Sequence, residues 1–274
     1  MRKQTFSVEI EANPGDLRQM KHYLHKWKPD FVSISNLSRY SYEEMVQCAR
    51  YIQTDLHIPV VIHLTGLTHT KEQIKKSFNE LMDLNIRNFL LVRGNIHHNM
   101  HIEDDFNYAS DLIKYVNQLD KDSQIHVVAG CYPDTHVLAD SLTEDIKYLK
   151  EKVNSGVDSL ISLMCFDNNR IYKFLDKSRE YDIDVPIRIG IMPITDPFKR
   201  HYLAHNNIKM PAFSEEEDNL LENGIDYAVN QINDLYEHNV NGIHLYTHND
   251  WMVSDRVFEN IKKTCKGASS NGQQ

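Results

Sequence analysis

Eight short apolar runs, spaced at helix-length intervals along the whole chain, constrain the fold more than any other feature. They cover residues 6–10, 31–34, 60–64, 89–92, 125–129, 159–164, 187–192 and 242–246. Near-continuous runs of this length mark parallel strands buried on both faces. The segments between them repeat apolar residues at helical spacing, as in Tyr42-Met45-Val46-Ala49-Ile52, Ile74-Phe78-Leu81-Met82, Leu112-Val116-Leu119 and Ile146-Leu149-Val153. Strand and helix alternate with no Pro/Gly/Ser-rich linker. The pattern predicts an α/β fold, a single (βα)8 TIM barrel over residues 1–266. An open doubly wound sheet is the alternative, and it would show fewer strands.

Local punctuation sharpens the boundaries. Thr70 ahead of Lys71-Glu72-Gln73, and Ser141 or Thr143 ahead of Glu144-Asp145, suit helix N-caps. Ser155-Gly156 and Asn223-Gly224 suit helix endings. The stretch after the seventh strand exceeds one crossover helix, which predicts an extra helix over 198–205, a loop through Pro211 and a long helix over 214–238. Residues 267–274 are small and polar and are expected to form a disordered tail.

With 30 basic against 39 acidic residues, the net charge of −9 argues against a phosphate-backbone footprint and so against nucleic acid as a partner. Cys48, Cys131, Cys165 and Cys265 lie far apart without a CxxC pair, so neither a zinc ribbon nor a disulfide framework is expected. Residues 1–4 lead directly into a strand with no apolar leader. No run approaches the roughly 20 apolar residues of a membrane span. These features predict a cytoplasmic protein with no membrane partner.

In a barrel, function gathers at the carboxyl ends of the strands. Leu91-Val92-Arg93-Gly94-Asn95 places a guanidinium and a flexible glycine at such an end, a pairing suited to phosphate. Lys152, on the helix after the fifth strand, offers a second cation. Ser7, Glu9 and Glu11 alternate with Phe6, Val8 and Ile10, which turns Glu9 into the barrel near its rim. Burial there is expected to raise its pKa and suit it to general-acid work; a plain ion pair with Lys or Arg is the other reading. His63 and His126 lie on strands and are expected to make satisfied polar contacts. His97, His98 and His101 crowd one loop, but no ordering partners for a metal site can be named, so no metal is expected. GxSxG, Walker and GxGxxG patterns are absent, so any dinucleotide must bind without the Rossmann device.

Several stretches together resemble the methylenetetrahydrofolate reductase family, flavoproteins built on a (βα)8 barrel. Ser7-Val8-Glu9 is similar to the surroundings of the family's catalytic glutamate, His63-Leu64-Thr65 to its HLT segment, and Val92-Arg93-Gly94-Asn95 to LRGD. Tyr108-Ala109-Ser110-Asp111-Leu112 matches YASDL, and Tyr132-Pro133 with His136 matches YPxxH. Asp145, Lys150, Lys152 and Val153 match a D…LKxKV helix, Gly190-Ile191-Met192-Pro193 matches GILP, and His244-Leu245-Tyr246-Thr247 matches HFYT.

The resemblance implies FAD as cofactor, held by Thr65, Arg93, Gly94, Tyr108, Ala109, Ser110, Tyr132, His136, Asp145 and Lys152. It implies NAD(P)H as hydride donor, a folate-like acceptor, Glu9 as general acid, and compatibility with a homo-oligomer. Asn95 stands at the second catalytic position, where the family carries aspartate. Leu163 and Tyr246 fall at the substrate, Leu163 where the family has a pterin-binding glutamine. Asp250 stands where an arginine is common. The cofactor shell therefore matches better than the folate shell. A flavoprotein reductase with another acceptor, and a non-catalytic paralogue serving as a binding subunit, are the alternatives.

Overall fold

The computed structural model describes residues 4–35, 39–94, 101–122, 124–205, 208–212 and 218–270, with the side chains of 262–270 left aside. The chain opens with β1 (Thr5–Glu11), a 3-10 turn (Pro14–Asp16) and α1 (Leu17–Trp27). It continues through β2 (Phe31–Ser35), α2 (Tyr42–Arg50) with a π-helical turn (Tyr51–Asp55), β3 (Val60–Thr65), α3 (Lys71–Asp83), β4 (Asn88–Val92) and α4 (Ala109–Leu119). The second half is β5 (His126–Cys131), α5 (Leu142–Asn154), β6 (Ser159–Ser162), α6 (Asn168–Glu180), β7 (Ile187–Ile191), α7 (Pro197–His205), α8 (Leu220–Glu237), β8 (Gly242–Tyr246) and α9 (Trp251–Ser270).

All eight strands pair in parallel, in chain order, and β8 returns to β1 to close the barrel. The seam runs from Thr5 opposite Gly242 to Glu9 opposite Tyr246. An open sheet is thereby excluded. The main core lies between sheet and helices. α3, for instance, turns Ile74, Phe78 and Leu81 inward, each contributing about 1.5–3 kcal/mol on burial. Inside the barrel, Phe31, Val61, Leu90, Val128 and Ile161 form a second, smaller apolar cluster. Ser41, Thr70 and Ser141 cap their helices through side-chain oxygens, with full capping boxes at Ser41 and Thr70.

Three boundaries differ from expectation. α8 begins at Leu220 rather than 214, after Asn219 in the left-handed region at φ 66°; residues 213–217 lie outside the described residues. Asn223-Gly224 does not end a helix but sits inside α8. Gly224 is required there because a Cβ would collide with the carbonyl oxygen of Ile194, so α8 packs closely over the end of β7. α9 runs on through Ser270, past the expected boundary at 266, because extending a helix already nucleated by its packed turns is cheap per residue. Residues 271–274 of the expected tail lie outside the described residues. The extra helix after the seventh strand is present as α7.

Candidate active site at the barrel mouth

The carboxyl ends of the strands form a mouth with two chemically different sides. On the first, β1, β3 and β8 converge on Glu9. The alternation of β1 aims Glu9 inward as the sequence predicts, and its side chain keeps 19% exposure. His63 Nε2 from β3 lies 3.7 Å from Glu9 Oε2, and His244 Nε2 from β8 lies 3.9 Å away. No Lys or Arg pairs with Glu9 among the described residues; its charged neighbours there are histidines.

The expected rise in the pKa of Glu9 does not occur. Burial pushes it up, but a hydrogen bond from His244 and the charges that His63, His244 and His248 can carry hold the carboxyl below its usual range. Burial in turn pushes both His63 and His244 down, toward the neutral ring. His244 is tightly held. Ser7 Oγ donates to the carbonyl of Ile243 at 3.1 Å and lies 2.8 Å from His244 Nδ1. Ser33 Oγ lies 3.1 Å from His244 Nε2. His63 departs from expectation: its Nε2 is buried with no hydrogen-bond partner. His126, by contrast, is satisfied by Ser159 Oγ at 2.9 Å.

Above Glu9 sits a second buried carboxylate. Glu11 pairs with Arg39 and lies 3.4 Å from His248 Nδ1. Asn249 seals this corner, accepting from the Glu11 amide at 2.9 Å and donating to Asp16 Oδ2 at 2.8 Å. His248 and Asn249 are both left-handed, at φ 47° and 56°.

On the second side, β4, β5, α4 and α5 bring together most of the residues implied for the cofactor. Lys152 Nζ reaches in from α5 and donates to the carbonyl of Gly130 at 2.8 Å. It also lies 5.8 Å from the centre of the Tyr132 ring. The rings of Tyr132 and His136 meet edge to face at 4.6 Å, and the backbone amide of His136 donates to Asp145 Oδ2 at 2.8 Å. Arg93 Nε donates to the carbonyl of Asn107 at 3.0 Å, which ties β4 to the start of α4. There the Tyr108 amide donates to Asp111 Oδ2 at 2.9 Å, with Ala109 and Ser110 in the first turn and the Tyr108 ring 67% exposed.

Gly94 takes φ +90°, which favours glycine, beside the side chain of Thr65. Burial pushes the Lys152 ammonium down and the Asp145 carboxyl up, and the Tyr132 phenol is pushed up to about 12 by burial. Arg93 and Lys152 form no ion pair among the described residues. Two cations that both act on His136 of one loop, with Asp145 the carboxylate that acts on Lys152, suit a diphosphate, so these residues fit FAD.

Leu163 follows β6, its amide donating to the carbonyl of Cys131 at 2.9 Å and its side chain left in the open mouth. The Tyr246 hydroxyl donates to the carbonyl of Ser162 at 2.9 Å, which braces the ring at the rim. Asp250, where an arginine was expected, accepts from buried Lys199 of α7 at 2.9 Å, and Lys199 also donates to Thr195 Oγ1 at 2.8 Å. Asn95, His97 and His98 lie outside the described residues. His101 Nε2 lies 3.3 Å from Glu103. Among the described residues no set of three His, Cys, Asp or Glu side chains is placed to hold a metal, and no helix is long and apolar enough to cross a membrane. Sequence reasoning gave no role to Ser7, Ser33, His244 or His248. The alternation of β8, which turns His244 and Tyr246 inward between Ile243 and Leu245, was the available signal.

Fold and mouth together define a (βα)8 barrel with its functional groups at the carboxyl ends of the strands. The profile of the family described as methylenetetrahydrofolate reductase matches residues 11–262, and the chain belongs to that family. Methylenetetrahydrofolate reductase 1 of Schizosaccharomyces pombe is 30% identical over 72% of this chain and 35% of its own length. Methylenetetrahydrofolate reductase (NADH) 1 of Arabidopsis thaliana is 27% identical over 89% of this chain and 45% of its own length. The 5,10-methylenetetrahydrofolate reductase of Pectobacterium carotovorum subsp. carotovorum is 26% identical over 82% and 78%. The chain thus spans less than half of those two eukaryotic relatives.

Among solved structures, an uncharacterized protein from Clostridium thermocellum that binds two copies of 5-methyl-5,6,7,8-tetrahydrofolic acid superposes with a TM-score of 0.69. It is 14% identical and covers 96% of this chain and 95% of its own. A phosphoenolpyruvate phosphomutase from Streptomyces platensis subsp. rosaceus gives 0.56 at 10% identity, covering 97% and 84%. At these identities the likeness concerns the fold alone.

Proposed function

We propose that the chain is an FAD-dependent oxidoreductase that takes a hydride from NAD(P)H and reduces 5,10-methylenetetrahydrofolate to 5-methyltetrahydrofolate. One observation carries the reading: a largely buried carboxylate with histidines and no Lys or Arg paired to it among the described residues, Glu9, shares the mouth with two cations that form no ion pair among the described residues, Arg93 and Lys152. Arg93 and Lys152 would hold the cofactor's phosphates, with Thr65, Gly94, Tyr108, Ala109, Ser110, Tyr132, His136 and Asp145 around them. When bound, the flavin supplies the hydride chemistry.

Glu9 has the proton-transfer task. The one-carbon bridge of the folate opens to an electrophilic iminium when a bridging nitrogen is protonated, and Glu9 is the donor. A carboxyl held low must first gain its proton. A ligand that fills the mouth and expels the remaining water strengthens burial, which is already the largest influence on Glu9, and so pushes it toward the protonated form. The family match and a relative named for this reaction support the reading.

The test is a visible spectrum of the purified chain. Yellow colour bleached by anaerobic NADH or NADPH and restored by the folate is expected; bleaching without restoration overturns the acceptor. One observation favours the second reading, a different acceptor: the side chain of Leu163 is 38% exposed and offers no hydrogen bond where a pterin edge would need one. Restoration by another electron acceptor but not by folate would establish that reading.

A further inference from the structure

Two buried side-chain nitrogens make no hydrogen bond among the described residues, Trp251 Nε1 and His63 Nε2. The Trp251 ring stacks with Tyr23 and Trp27, among the helices outside the barrel. His63 is different, since its bare Nε2 faces Glu9 Oε2 at 3.7 Å. A buried, unpaired imidazole nitrogen is costly, and a position aimed at a carboxylate invites a proton between the two. The neighbouring His244 acts on Glu9 as well, but its nitrogens already have Ser7 Oγ and Ser33 Oγ within hydrogen-bond distance, whereas His63 Nε2 has no other partner among the described residues.

We infer that His63 is the proton-sharing partner of Glu9: a proton that enters from water at the more exposed carboxyl is shared between Oε2 and Nε2, and the pair so keeps the acid loaded for each turnover. When the shared proton moves back to the carboxyl, the Nε2–H bond breaks and an Oε2–H bond forms, with no change in oxidation state. His63 returns to the neutral ring, and solvent supplies the next proton. Glu9 then gives its proton to the acceptor nitrogen. The inference rests on the acid role of Glu9 proposed above.

The surroundings suit this transfer. Glu9 is faced by His63 from β3, His244 and Tyr246 from β8, His248 from the loop beyond it and Tyr202 from α7. The ionisable groups acting on His63 are Glu9 and His244. Burial pushes His63 down, toward the neutral ring that can accept a proton at Nε2.

The experiment uses His63→Gln in the flavin-loaded protein, because glutamine hydrogen-bonds but does not titrate near neutral pH. Folate-driven reoxidation is expected to slow about ten-fold or more, by a larger factor than nicotinamide-driven reduction, and its pH profile should lose one ionisation. A wild-type pH profile overturns the inference, as does an equal loss in both half-reactions. Infrared difference spectroscopy against Glu9→Gln supplies a readout independent of turnover. The Glu9 carboxyl should titrate at higher pH once the His63 charge is removed, and an unmoved Glu9 band overturns the pairing. His63→Asn serves if the glutamine variant does not fold. If folate never reoxidises the wild-type protein, the proposed function fails, and the infrared measurement still decides whether the pair exists.

Discussion

The two sides of the mouth solve opposite electrostatic problems. Around β4, β5 and α5 the protein leaves positive charge without an ion pair among the described residues: Lys152 donates to the Gly130 carbonyl and Arg93 to the Asn107 carbonyl. Around β1, β3 and β8 it surrounds Glu9 with groups that gain or lose a proton, His63, His244 and His248. Fixed, unspent charge suits a permanent anionic guest, whereas titratable neighbours suit a group whose protonation must change during a cycle. The contrast separates holding from reacting, and each side can be damaged alone.

The largest expected effect is on the reacting side. Glu9→Gln should slow folate-driven flavin reoxidation by about 10²–10⁴-fold, far more than it slows reduction by the nicotinamide. Stopped-flow absorbance of each half-reaction measures this, and equal losses would erase the distinction between the two sides. On the holding side, Lys152→Met should weaken FAD retention by about ten- to a hundred-fold, the worth of a charge-assisted hydrogen bond. Flavin release followed by fluorescence would show it. Unchanged affinity would mean that the buried ammonium serves the Gly130 carbonyl alone.

Between the sides, Leu163→Gln restores an amide to the mouth and should lower the KM for the folate by several-fold, roughly one neutral hydrogen bond; a KM that stays or rises favours the second reading. The smallest effect concerns stability. His63 and His244 are pushed below the 6.5 of a free histidine by burial, and Glu9 is held below 4.5. For all three, protonation favours the unfolded chain. The stability they contribute is fully present above about pH 6.5 and is lost as pH falls through the folded values. Tm should therefore drop from pH 7 to pH 5, and less steeply in His244→Gln. Parallel slopes would show that the cluster has no part in acid unfolding.

Much of the barrel was legible because buried parallel strands spell themselves out as apolar runs, as 60–64 and 242–246 do. Helix starts with a capping side chain, such as Thr70 and Ser141, were equally readable. Asn223-Gly224 misled because glycine serves two purposes, and only packing against Ile194 reveals which. The inward aim of Glu9 followed from alternation, but its pKa did not. That depends on His244, adjacent only across the closing seam, and on His63, two strands away in the chain. Local sequence records which way a side chain points and is silent about its distant neighbours. The same limit made His63 look like a satisfied core histidine.

Closure of β1 onto β8 joins residues more than 230 positions apart, as in the contact of Ser7 with His244. Contacts of such long range are expected to form late, since the chain entropy they cost is recovered only when the intervening units are in place. Assembly of the cluster around Glu9 thus doubles as a signal that folding has finished. A chain stalled before its last strand could bury most of its core and keep Arg93 and Lys152 in place, yet lack the imidazole held between Ser7 and Ser33.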